Sequence, residues 1–114
     1  MNQLDKEIVS DLYNQLVKRD TQSSELLDIL DVLLKVYQKL DTEKHPERLI
    51  NRLNQYIRIT ASKGKISFSS EEEKLTVQLS VIGQKAGLNG SYMADFSDKS
   101  QFYKLGEQVP THNN

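Results

Sequence analysis

The residues of this 114-residue chain that could do chemistry are few, and their spacing does not gather them. His45 lies just before Pro46, and His112 lies two residues from the chain end. Neither belongs to a pair at ligand spacing, and there is no cysteine to offer a thiolate, so no metal centre is expected. Glu71, Glu72 and Glu73 are adjacent, which suits the electropositive start of a helix better than acid–base work. No serine sits in a nucleophile elbow. "GQKAGLNG" (83–90) has spaced glycines but follows a helix pattern and lacks the Lys-Ser/Thr ending of a phosphate loop. The chain therefore reads as no enzyme, with no cofactor and no small-molecule substrate.

Two stretches remain as candidate binding surfaces. Between residues 43 and 65, Lys44, Arg48, Arg52, Arg58, Lys63 and Lys65 face only Glu43 and Glu47, a local balance of +4 in a chain of net charge -1. Arg48, Arg52, Arg58 and Lys63 form the candidate basic face of a helix. One reading is a solvated face paired with acids of the preceding helix. The other is attraction to an anionic membrane surface or an acidic partner. Nucleic acid is not expected, because no aromatic interleaves the arginines and no tight helix-turn-helix turn precedes them.

The second stretch is "GLNGSYMADFSDKSQF" (87–102), where Tyr92, Met93, Phe96 and Phe102 follow a helix with no steady period. These side chains either fold back to seal the body of the protein or form an interaction epitope on a mobile segment. Both can hold at once.

The elements that must position these stretches are helical. Ile8, Val9, Leu12, Tyr13, Leu16 and Val17 share one half of a wheel over 3–19. The 24–41 segment is apolar over more than half its wheel, with Asp28, Asp31, Lys35, Gln38 and Lys39 as its wet edge, which predicts a helix with two neighbours. Pro46 suits a first turn, and Gly64 a C-terminal cap, for a helix over 46–63. Residues 70–86 are ambiguous. Leu75, Val77, Leu79 and Val81 alternate as in a strand, yet Ser69-x-x-Glu72 and Ser70-x-x-Glu73 are capping boxes. The helix is favoured, and it leaves Val77 and Val81 on the outside as a place for the tail to dock. The expectation is an all-α antiparallel up-down four-helix bundle over 1–90. An irregular C-terminal tail follows, with its aromatic part at 91–105 docked and 106–114 disordered. The first residues predict no signal peptide and no stretch predicts a membrane span, which suits the cytoplasm.

"LINRLNQYIRITAS" (49–62) followed by "VIGQKAGLNGSYMADFSDKSQFY" (81–103) resembles the immunity proteins of class IIa, or pediocin-like, bacteriocins. The likeness is to the subgroup with the enterocin A and leucocin A immunity proteins, and it runs from about residue 25 to residue 103. It implies a cytoplasmic four-helix bundle with helix four over the ambiguous segment. It implies protection of a lactic acid bacterium from its own pore-forming peptide, exerted from the cytoplasmic side on the bacteriocin–mannose phosphotransferase permease complex. The family's C-terminal half carries discrimination, which places Tyr92, Met93, Asp95, Phe96, Asp98, Lys99, Gln101, Phe102 and Tyr103 in the candidate recognition region. Peripheral contact with the inner face of the membrane belongs to this expectation. The competing reading is a small helical adaptor or antitoxin that neutralises a soluble protein partner.

Overall fold

The computed structural model describes residues 3–87 and 96–112. Among these, local signals set where each helix begins. α1 runs Gln3–Val17, α2 Ser24–Lys39, α3 Pro46–Lys63 and α4 Ser70–Gln84, and a short 3-10 helix follows at Lys99–Phe102. The Ser23 hydroxyl accepts the Leu26 N–H at the head of α2. Pro46 opens α3, where its missing N–H costs nothing. Ser69 and Glu72 exchange both bonds of a capping box, at 3.2 and 2.9 Å. That box makes the ambiguous segment helical. Leu79 and Thr76 turn inward, while Val77 and Val81 are 46% and 54% exposed.

α3 ends at the expected cap, with the Gly64 N–H bonded back to the Thr60 carbonyl. Gly64 keeps φ at -88°, and Lys65 takes the left-handed conformation at φ 54°. The Ile66 N–H then reaches back to the Ala61 carbonyl at 2.8 Å. Gly64 answers a need for space, because a Cβ there would lie 2.6 Å from the Cβ of Glu25.

Ion pairs at the helix ends give the directions. Lys6 near the start of α1 binds Asp41 just beyond α2. Arg19 just after α1 binds Glu72 at the start of α4, and Arg58 late in α3 lies 3.6 Å from Glu73 early in α4. Consecutive helices pack antiparallel, and α4 closes the ring against α1. Leu12, Leu16, Ile29, Leu33, Val36, Leu53, Ile57 and Leu79 fill the centre with no exposed surface. Each such side chain is worth roughly 1.5–3 kcal/mol in burial.

The α3–α4 contact is close. A Cβ on Gly83 would stand 2.9 Å from the Cα of Asn51, a backbone atom that cannot step aside. Gly83→Ala should therefore destabilise by about 1–3 kcal/mol in a thermal melt, despite gaining about 1 kcal/mol of helix propensity. A stabilised variant would show that the two helices part freely.

The α1–α4 corner is electrostatic. Burial pushes the Glu72 carboxyl up, but bonds from the Arg19 guanidinium and the Ser69 N–H outweigh it and hold the group below its usual range. A carboxyl lowered in the folded state stabilises above its unfolded value of 4.5, and that contribution is lost as pH falls through the folded value. Glu72→Gln should thus lower stability at neutral pH and flatten the loss of stability below about pH 4.5. Parallel acid limbs for wild type and variant in pH-dependent melts would refute the assignment.

The described tail docks away from Val77 and Val81. It lies on the wet edge of α2 and over Tyr56 of α3, because those positions offer both acids for its lysine and a pocket for its ring. Residues 106–112, expected to be disordered, run along α2 and are held by the pairs described next.

Candidate functional site

Asp28, Asp31 and Lys35 fall at i, i+3 and i+7 of α2 and so share one edge. The tail brings complementary groups to that edge. Asp98 caps the 3-10 helix, its Oδ1 accepting from the N–H and hydroxyl of Ser100 at 2.9 and 2.6 Å. That short turn points Lys99 inward. Its ammonium donates to Asp28 Oδ1 at 2.8 Å, Asp31 Oδ2 at 3.0 Å and the Pro110 carbonyl at 2.6 Å, using all three N–H bonds. His112 Nε2 lies 2.5 Å from the same Asp31 oxygen. Lys35 pairs with Glu107 and sits 5.4 Å from the centre of the Tyr103 ring. Glu107 in turn accepts the Lys104 N–H at 2.7 Å. Lys35 and that N–H hold the Glu107 carboxyl below its usual range.

The apolar part of the clasp is Phe102. It has no exposed surface and meets Tyr56 edge-to-face, with ring centres 5.5 Å apart. Burial, with help from Asp28 and Asp31, pushes the Tyr56 and Tyr103 phenols up to about 12, so both stay neutral. Outside the clasp lies a cleft of about 250 Å³ lined by Asp31, Leu34, Lys35, Gln38, Tyr103, Glu107, Gln108 and Pro110. Leu34, 47% exposed, also borders a second groove of about 260 Å³ between α1 and α2, lined by Val9, Ser10, Tyr13, Leu33 and Tyr37.

Asp28, Asp31 and His112 offer ligand atoms within 4.8 Å of one another. The Lys99 ammonium bridges the two carboxylates, so the protein supplies its own cation there.

Residues 3–84 match the bacteriocin immunity protein family. The chain belongs to that family. The immunity protein is 58% identical over 103 residues to the probable mesentericin-Y105 immunity protein of Leuconostoc mesenteroides, covering 90% of each chain. It is 64% identical over 81 residues to the probable leucocin-A immunity protein of Leuconostoc gelidum, covering 71% of this chain and 72% of that one. Among solved structures it is similar to the 1.6 Å crystal structure of EntA-im, described as conferring immunity to the pediocin-like bacteriocin enterocin A. That likeness has a TM-score of 0.60 and 47% identity, over 84% of this chain and 97% of that one. The all-α bundle and the family resemblance read from the sequence are both found, and the family is one of immunity proteins, not enzymes.

Of the candidate recognition residues in this immunity protein, Tyr92, Met93 and Asp95 lie outside the described residues. Phe96 is half-buried, and its carbonyl and that of Asp98 accept the Gln101 amide N–H bonds. Lys99, Phe102 and Tyr103 face the bundle, while Asp98 is exposed. The candidate basic face divides. Arg58 turns to Glu73 of α4, and Arg48, Arg52 and Lys63 stay exposed with no ion pair among the described residues. Among the described residues none of these bases pairs with an acid of α2, where Asp28 and Asp31 are taken by the tail. Sequence reading missed Glu107, Pro110 and His112. The signal for them was the pair of acids three residues apart on an otherwise apolar helix, which calls for a cation from elsewhere in the chain.

Proposed function

We propose that this immunity protein protects the cell that makes a class IIa, pediocin-like, pore-forming bacteriocin from that peptide. It acts at the cytoplasmic side on the complex of the bacteriocin with the mannose phosphotransferase permease. The docked tail and the neighbouring parts of α3 and α4 supply discrimination between peptides. The observation that carries this reading is the 58% identity spread over 90% of both chains with the mesentericin-Y105 relative, a span long enough to take in the tail. The EntA-im likeness supports the pediocin-like class. No helix among the described residues is long and apolar enough to cross a membrane, so the proposed contact is with the permease face and the adjoining inner membrane surface.

The test is expression in a sensitive strain exposed to leucocin A, mesentericin Y105 and enterocin A. Resistance to the first two should rise most, in line with the higher identities of their immunity proteins. No gain against any of the three overturns the proposal. The permease assignment is tested separately, by pull-down from peptide-treated and untreated membranes. Permease should be retained only after treatment. A stable complex with a soluble protein, formed without membranes or peptide, would favour an adaptor or antitoxin.

A further inference from the structure

The exposed bases of α3 stand in a definite relation to the docked tail. Arg52 precedes Tyr56 by four residues and Lys63 follows it by seven, so all three lie along one side of the helix. Tyr56 is the residue on which Phe102 rests. Arg52 and Lys63 therefore border the seam that holds the tail, and Arg48 extends the row by one turn. From Arg48 to Lys63 the row spans about 22 Å at 1.5 Å per residue. Lys44 and Lys65, both exposed, lie just beyond the two ends of α3.

The acids near this row are few, and three of them are engaged. Asp28 and Asp31 hold Lys99, and Glu73 faces Arg58. Glu47 is half-buried in the first turn of α3, 3.7 Å from His45 Nδ1. Glu25 packs against Gly64 at the far end, and Glu43 lies in the preceding loop. The row is thus a concentrated positive strip on a chain whose net charge is -1. Such a strip is attracted only by a surface it faces closely, because screening limits its reach to roughly 8–10 Å.

We infer that Arg48, Arg52 and Lys63 bind an anionic lipid surface and, by doing so, turn the seam of the docked tail toward the membrane. A planar anionic surface fits a straight row better than a compact acidic site does. Each base close to such a surface strengthens binding roughly fivefold. This deepens the proposed function, on which it rests for placing the target in the membrane. The lipid contact itself needs neither peptide nor permease.

The experiment sediments the full chain with vesicles of phosphatidylglycerol and phosphatidylcholine, or of phosphatidylcholine alone, at low and high salt. A stripe variant, R48Q/R52Q/K63Q, is compared with K18Q/K74Q/K85Q, which removes the same charge elsewhere. Wild type should bind only the anionic vesicles, and less at high salt. The stripe variant should bind about a hundredfold more weakly, the control only a few-fold more weakly, with melting unchanged in both. Absent binding, equal binding to neutral vesicles, or equal losses in the two variants overturns the inference. Resistance assays on the same proteins separate the two ideas. Protection by a wild type that binds no vesicle leaves the immunity function standing and removes the lipid contact. Protection lost in the stripe variant without vesicle binding by wild type assigns the row to an acidic protein instead. Vesicle binding by a wild type that gives no protection upholds the lipid contact and overturns the immunity reading.

Discussion

Phe102→Ala should release the tail, lower the melting temperature by about 10–20 °C and abolish most protection. The ring has no exposed surface, although it lies 12 residues from the end of the chain. Truncating a buried phenylalanine costs about 3 kcal/mol or more, through lost burial and the cavity left behind. The edge-to-face contact with Tyr56 adds about 0.5–1.5 kcal/mol beyond area. Loss of the docked tail can lower global stability by no more than docking contributes. The four helices bury their own core, so helical CD at 25 °C should stay near wild type. Proteolysis near the fully exposed Leu105 should quicken. Phe96→Ala is the comparison. That residue is half-buried with no ring contact among the described residues, and its loss should cost under about 1 kcal/mol. A Phe102→Ala protein that melts within two or three degrees of wild type would remove the tail from the core.

The bundle was legible because its instructions are local. Ser23, Pro46 and the Ser69–Glu72 box each act within four residues of the helix starts they set. Where a residue answers to a distant neighbour, reading failed. Gly64 caps α3 where it was expected to, but its need to be small comes from Glu25, 39 positions earlier, which no local pattern shows. The exposed Val77 and Val81 looked like a dock because apolar surface invites a partner, yet single exposed valines are ordinary. The tail instead follows its charge. Lys99 and Asp28 lie 71 residues apart, a separation at which no period in the sequence links them. Phe102 and Lys99 act together, and neither alone predicts the site.

Lys99→Met keeps the length of the side chain and removes its charge, and it should free the tail as Phe102→Ala does. The lysine side chain is 12% exposed, against 29% for Asp28 and 26% for Asp31. Without the ammonium the two carboxylates stay close together with no cation between them, and the Pro110 carbonyl loses its donor. Removing one partner of a fully buried ion pair costs about 3–5 kcal/mol, and here partial hydration of the acids reduces that to about 2 kcal/mol. The assignment makes a sharper demand. Asp28→Asn and Asp31→Asn in the Lys99→Met background remove the stranded charges, so the triple variant should be more stable than Lys99→Met alone. Urea melts of the full cycle would then show a coupling well above the roughly 0.3–0.5 kcal/mol scatter of independent sites. Protection should fall in Lys99→Met and return in part in the triple variant. Additive losses would mean that the lysine and the two acids are neighbours without being partners.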